Sequence, residues 1–244
     1  MNNRKTVVIS QPMYFPWVGI FEQIKHSDIF VFFDDIQFSR GFINRVQYKT
    51  PDGSKWLTVP LEKHPRDTNI SQLNIQNSSD WKRKHLRSLE ITFNGAKYAD
   101  DALDIASNIF SMNYDLLSDM LIESIHQVRN YFDIGNSVQY YKSSELEKSG
   151  AKGDLIKDII LGLGANRYIT GHGALNYLDH EDLEQCGIDV QYINYEMKKY
   201  PQKFGTFTPF VTILDLIANC GNEGKKYICS QTINWRDISQ NVKR

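Results

Sequence analysis

The stretch TVVISQPMYFPWVGIFEQIKHSDIFVFFDD, residues 6–35, decides how this chain is read. A β-branched run from Thr6 to Ser10 ends at Gln11-Pro12, and an aromatic turn follows with Tyr14, Phe15, Pro16 and Trp17. A short amphipathic segment over 18–25 leads to a second apolar run, 29–33, which stops at the adjacent carboxylates Asp34 and Asp35. Strand, polar turn, helix, strand and acidic turn make a βαβ unit, and such units bind ligands at the carboxyl ends of their strands. Gln11, Tyr14, Trp17, Asp34 and Asp35 are therefore candidate pocket residues.

Working outward, IQFSRGFINRVQYKTPDGSKWLTVPLE alternates on both sides of a PDG turn at 51–53, the pattern of a β-hairpin. It carries Asn44 and Arg45, and an arginine can hold a phosphate or carboxylate in a bidentate fork. Residues 62–80 are polar and turn-rich, with a short strand expected over 70–75 and Ser79 or Asp80 as a helix cap. Helices are expected over 81–93, 101–111, 113–132 and 152–163, with a strand over 137–141. The block of about 80–132 reads as a helical lobe inserted into a single α/β domain covering 1–244, because no Pro/Gly/Ser linker flanks it. A strand over 167–170 runs into Gly171-His172-Gly173, where small residues let the backbone approach a ligand closely; Thr170, Gly171 and Gly173 join the candidates. A short helix over 181–186 and a strand over 187–193 follow. Tyr200 and Gln202 lie in a polar–aromatic loop, Thr208-Pro209 is expected to open a helix with Ile213, Leu214, Ile217 and Ala218 inward, and the tail beyond Lys226 is read as peripheral. Asp215, inside that apolar helix, needs a partner if buried.

With 28 basic and 29 acidic residues the formal net charge is −1, so no global field draws the chain to nucleic acid or an anionic membrane. Cys186, Cys220 and Cys229 show no metal-type spacing and are read as reduced, buried thiols. The five-residue apolar run before Gln11 is too short for a signal-peptide core or a membrane span, and a cytoplasmic protein is expected.

Three ordered blocks carry a family resemblance: QPMYFPWVGIFEQIKHSDIFVFFDDIQFSRGFINRVQYKTPDGSKWLTVPL, RYITGHGALNYLD and YPQKFGTFTPFVTILDLIANCG. Together they make the chain similar to WbqC-like proteins over roughly residues 7–221. The resemblance implies bacterial polysaccharide and O-antigen (lipopolysaccharide) biosynthesis, where cytoplasmic steps act on nucleotide-linked sugars and often add acyl or aminoacyl groups to an amino sugar. The turn GHGALNYL departs from the usual family pattern, and His172 is read as a turn residue rather than a catalytic one. The opening also resembles the nucleotidylyltransferase-like topology, so a Rossmann-like sheet with an inserted helical lobe is the expected fold. The HxGH motif of that fold is absent, as are a GxGxxG fingerprint and a P-loop, so no cofactor is assigned.

Acyl transfer to an amine needs a base and a donor to the developing oxyanion. Asp35 and His85 are the candidate bases, and no metal is assigned because the histidines show no ligand spacing to one another. A thioester through cysteine is disfavoured, since Cys186 and Cys220 sit at expected helix C-termini, where the dipole raises a thiol pKa. The reading is an acyl- or aminoacyl-transferase taking a nucleotide-linked sugar and an acyl thioester or carrier-protein donor. The alternatives are another enzyme of the same pathway or a non-catalytic nucleotide-sugar binding or assembly protein. Partners in nucleic acid or membrane are not expected.

Overall fold

The computed structural model describes residues 4–147 and 155–242. The opening unit forms as its pattern dictates: β1 (Thr6–Ser10), α1 (Gly19–Lys25) and β2 (Ile29–Phe32), with β1 and β2 parallel. The remaining strands of the central sheet are β5 (Gln139–Lys142), β6 (Arg167–Thr170), β7 (Asp189–Asn194) and β8 (Gln231–Asn234). A separate antiparallel hairpin joins β3 (Arg45–Thr50) to β4 (Gly53–Thr58).

The sheet order is β5–β2–β1–β6–β7–β8, parallel throughout except for antiparallel β8. Counted without the hairpin, the strands run 3-2-1-4-5-6, the Rossmann-like order. Chain connections proceed outward from β1 through β2 to β5, then return to the other side of β1 at β6. The switch point of this sheet therefore lies between β1 and β6.

Side-chain alternation along the strands divides the core into two layers. Val8, Phe30, Phe32, Ile169 and Ile193 join one apolar cluster, while Val7, Ile9, Ile29, Val31, Tyr168 and Val190 join the other. The first face is covered by α1 and by α2 (Trp81–Phe93), α3 (Ala99–Ser111), α4 (Leu117–Tyr131) and α7 (Ile213–Cys220), through residues such as Phe21, Leu89, Ile109, Leu121 and Ile217. The second is covered by α5 (Leu155–Gly162), α6 (His180–Gln185) and α8 (Trp235–Val242), through Ile160, Leu183 and Ile238. Both faces are buried, which explains why β1 and β2 read as continuous apolar runs.

Three expectations are corrected. The short strand over 70–75 is instead a 3-10 turn at Ile70–Gln72, where Asn69 and Gln72 form a capping box, followed by single bridges at Asn74 and Ile75. The helix expected to open at Thr208-Pro209 begins instead at Ile213, as α7: Thr212 is its N-cap and its Oγ1 accepts from the Leu214 N–H at 3.3 Å. The tail is not peripheral, since β8 is the sixth strand of the sheet. The start of the helix expected over 152–163 lies outside the described residues; its end is marked by Gly164 at φ +65°, a left-handed stop suited to glycine.

Candidate functional site at the sheet switch point

A cleft of about 730 Å³ opens at the carboxyl ends of β1 and β6. Its floor is Ser10 and Gln11 from β1, Thr170 and Gly171 from β6, and Phe33 and Ile36 from the segment after β2. The other walls are Trp17, Ile20 and Gln23 from α1 and the turn before it, His172 to Ala174 after β6, Tyr195 after β7, and Phe210.

The local sequence of the Gln11–Trp17 turn explains how it splits inward and outward. Pro12 and Pro16 bracket Phe15, whose φ of +37° is in the left-handed region that a bulky residue adopts only under constraint. That kink is held by the Tyr14 N–H donating to the Ile43 carbonyl at 2.9 Å and by burial of both rings, Phe15 standing edge-on to Phe110. Tyr14 and Phe15 thereby face the core while Trp17 is turned to the cleft. The Trp17 indole lies against Tyr195, ring centres 4.9 Å apart, and Phe210, at 5.3 Å. Gly19 carries the indole on its Cα: a methyl there would meet the ring at 2.2 Å.

Polar groups converge on this aromatic wall. Gln23 Nε2 donates to the Tyr195 hydroxyl at 2.8 Å, and burial pushes the Tyr195 phenol up to about 12, so it stays neutral. Among the described residues, the Gln11 amide and the His172 ring nitrogens make no hydrogen bond. The His172 ring is exposed and rests against Tyr195 at 5.4 Å and Tyr192 at 6.4 Å. Exposed aromatic edges at Phe210 and Tyr177 rim the opening. An amide, an imidazole and flat apolar faces in one cleft suit a ligand that combines a planar ring or sugar face with hydrogen-bonding groups.

The WbqC-like protein family matches residues 11–227, a span that includes every cleft residue named above except Ser10. The chain belongs to the WbqC-like protein family. This family member is 30% identical over 230 residues to a protein of Mycobacterium tuberculosis (strain ATCC 25618 / H37Rv) named Uncharacterized protein Rv1507c, covering 92% of this chain and 97% of the relative. No solved structure matches the chain.

Of the residues expected from sequence to share one site, this WbqC-like protein brings Gln11, Trp17, Thr170, Gly171 and Gly173 into the cleft. The others lie elsewhere. Tyr14 and His85 are buried together, the Tyr14 hydroxyl 2.9 Å from His85 Nδ1. Burial pulls His85 down to about 4, only partly offset by the Thr58 backbone, so the ring, packed against Trp81 and Phe110, is held neutral. Asp34 is 1% exposed and accepts from the Ser144 N–H at 3.0 Å and the Ser144 hydroxyl at 2.8 Å. Asp35 accepts from the Ser143 hydroxyl. The Ser143 Oγ also lies 3.2 Å from Asp34 Oδ1, so the two adjacent carboxylates both reach Ser143, just after β5, and tie it to the end of β2.

Asn44 is buried and donates to the Val59 carbonyl at 3.0 Å, and Arg45 faces a second groove on the hairpin. Tyr200 and Gln202 form a buried network: the Tyr200 hydroxyl donates to Asp215 Oδ2 at 3.0 Å, Gln202 Nε2 donates to the Tyr200 hydroxyl at 2.9 Å, and Lys49 Nζ donates to Gln202 Oε1 at 3.2 Å. Asp215 does find its partner there, and burial raises its carboxyl to about 6. Cys186 is exposed rather than buried, and burial raises the Cys220 thiol. Among the described residues, no group of three or more His, Cys, Asp or Glu could hold a metal, and no helix is long and apolar enough to cross a membrane.

Sequence reasoning missed His172, Gln23, Tyr195 and Phe210. A signal for His172 existed: it stands two residues beyond Thr170, the last residue of a strand that turned out to flank β1. Gln23 and Phe210 had none, since only the packing of α1 and of the loop before α7 directs them to the cleft.

Proposed function

We propose that the chain is a transferase that moves an acyl or aminoacyl group onto the amine of a nucleotide-linked amino sugar, a step in building bacterial polysaccharide such as O-antigen, and that it works in the cytoplasm. The observation that carries this reading is the switch-point cleft, where one imidazole and one amide without internal hydrogen bonds face an aromatic wall. Trp17, Tyr195 and Phe210 would stack on the planar or sugar part of the substrate. Thr170, Gly171 and Gly173 let its backbone-facing edge approach closely.

In the reaction the sugar amine attacks the acyl carbonyl carbon. His172 takes the amine proton as the C–N bond forms, Gln11 donates to the developing oxyanion, and the donor's thiolate or alkoxide leaves with the electron pair of the broken bond. His85 and Asp35, the bases expected from sequence, are instead positioning groups on this reading, because their hydrogen bonds point into the fold. The strand order supports a nucleotidylyltransferase-like topology that lacks the phosphate-handling HxGH chemistry. Residues 80–132 are best taken as a lobe of one domain, because Trp81, Ile109 and Leu121 join the same apolar cluster as Phe30 and Phe32.

The test is incubation of the protein with a panel of nucleotide-linked amino sugars and acyl or aminoacyl donors, read by mass spectrometry of the sugar. A mass gain equal to the acyl group, lost in His172→Ala, is expected. Saturable binding with no mass change would instead identify a nucleotide-sugar binding protein, and release of free nucleotide would identify a glycosyl transfer or hydrolysis.

A further inference from the structure

The hairpin carries a second groove, of about 660 Å³, lined by Arg40, Asn44, Arg45, Lys63, His64 and Glu62 among others. An adjoining hollow shares Phe38, Arg40 and His64 with it and adds Arg66. Four permanent cations, Arg40, Arg45, Lys63 and Arg66, thus face one carboxylate, in a chain whose overall formal charge is −1. Among the described residues none of the four has an ion-pair partner, and the side chains of Arg40, Lys63 and Arg66 make no hydrogen bond. Concentrating unpaired like charge on one rim is unfavourable for the folded chain alone and is offset when an anion binds.

The groove is also built rather than merely charged. Arg45 is aimed: its guanidinium stacks on Trp56 at 4.3 Å, and Nε donates to the Gly41 carbonyl at 3.0 Å, which leaves the two terminal nitrogens as a fixed fork. The Asn44 carbonyl accepts from the Val59 N–H at 2.8 Å while its amide returns a bond to the Val59 carbonyl, locking the two walls together. The far wall is held by Gln37 Nε2 donating to the Arg66 carbonyl at 3.0 Å, by a 2.9 Å contact between His64 Nδ1 and the Glu62 carbonyl, and by the His64 ring edge-on to Phe38. A single carboxylate would leave most of this volume and charge unused.

We propose that this groove binds the oligophosphate group of a ligand, with the Arg45 fork on one phosphate and Arg40, Lys63 and Arg66 on the next. Its position suggests how it serves the reaction. Ile36 borders the switch-point cleft and Phe38 the basic groove, two residues apart and so within about 7 Å along the chain. One extended ligand can lie across the shared wall, its phosphates on the hairpin and its reacting end in the cleft. The phosphate assignment rests on the groove alone; only the choice of ligand rests on the transferase reading. Two sources present this chemistry: the diphosphate of a nucleotide-linked acceptor, or the phosphates of a coenzyme A-type donor.

Calorimetric titration of the full chain with inorganic pyrophosphate, uridine diphosphate and coenzyme A tests it. Saturable pyrophosphate binding is expected, weakened about tenfold or more in the double variant Arg40→Gln/Lys63→Gln, whose residues lie on the groove rim. Arg45→Lys, which keeps the charge and loses the fork, should weaken it severalfold. Tighter binding of uridine diphosphate than coenzyme A assigns the groove to the acceptor, and the reverse order assigns it to the donor. No pyrophosphate binding at millimolar concentration, or equal binding by wild type and the double variant, overturns the proposal. Pyrophosphate binding by the wild-type chain, with acyl transfer absent for every donor and acceptor pair, would sink the transferase reading and leave the groove standing; Gly19→Ala, which overpacks Trp17 in the cleft, should keep its pyrophosphate binding.

Discussion

Adding one methyl group at Gly19 is the sharpest way to disturb the switch-point cleft without touching its polar groups. A Cβ at that position would lie 2.2, 2.5 and 2.6 Å from three atoms of the Trp17 six-membered ring, where ordinary contact begins at 3.4 Å. The indole must therefore withdraw by 3.4 − 2.2 = 1.2 Å at its nearest atom. Tyr195 and Phe210 already press on it at 4.9 and 5.3 Å, so the ring cannot simply slide along the wall and is driven into the cleft. Overpacking of this kind costs about 1–3 kcal/mol, and the better helix propensity of alanine returns up to about 1 kcal/mol of it. Gly19→Ala should then lose no more than about 3 kcal/mol in urea denaturation, inside the stability of a typical domain. Affinity for a nucleotide-linked sugar, measured by calorimetry, should fall about tenfold or more, since the stacking face is both displaced and in the ligand's way. Unchanged affinity in a variant of near-normal stability would refute the placement of the ligand against Trp17.

Two predictions concern buried titratable groups. His85 has its folded pKa lowered by burial from 6.5 to about 4, so its neutral form contributes stability that is fully present above pH 6.5 and lost as pH falls towards 4, by up to about 3 kcal/mol. The stability difference between wild type and His85→Leu, from urea melts, should shrink by an amount of that order between pH 7 and pH 4; a constant difference would mean that His85 is not the buried neutral ring described. Asp215 runs the other way: its folded pKa is raised from 3.8 to about 6, so the stability of its protonated form is present below about pH 4 and lost as pH rises through 6, again by up to about 3 kcal/mol. Asp215→Asn should gain on wild type as pH rises from 4 to 7, and a flat difference would contradict the assignment. Removing the Tyr14 hydroxyl in Tyr14→Phe leaves the buried His85 Nδ1 without its partner and should cost about 1–3 kcal/mol of stability with ligand affinity unchanged; a large loss of affinity at constant stability would return this pair to the binding site.

The parts of the fold that were legible in sequence are those whose signal is local. The β-branched run at Thr6–Ser10, the apolar run at Ile29–Phe32 and the PDG turn each determine an element by side-chain alternation or turn chemistry, and all three appear. The strand Gln231–Asn234 was illegible because QTIN carries no apolar alternation: it is an antiparallel edge strand held to β7 by backbone pairing. The turn at Ile70–Gln72 mimics a strand in its apolar spacing, and only the Asn69–Gln72 box distinguishes the two.

The candidate site divides along the same line. Gln11, Thr170 and Gly171 were found because residues at the carboxyl ends of parallel strands converge whatever else the chain does. Asn44 with Arg45, and Tyr200 with Gln202, were grouped with them by chemistry, but the direction in which the hairpin and the 200–208 loop leave the sheet is set by long-range packing. The hairpin is anchored at the N-cap of α7 by the Thr212 N–H donating to the Gln47 carbonyl at 2.8 Å, and Arg45 lines the hairpin groove rather than the cleft. His85 looked like a base because an isolated histidine near an aromatic cannot, from sequence, be told from one buried with its Nδ1 on a tyrosine hydroxyl.

Hydrogen exchange of the full chain, with and without the nucleotide-linked amino sugar that it binds best, tests the central claim most directly. Ligation should slow exchange of the backbone amides in 11–17 and 170–174, the two strand-end turns that flank the switch point. Saturable binding that leaves both segments unprotected, with slowed exchange confined to other parts of the chain, would contradict it.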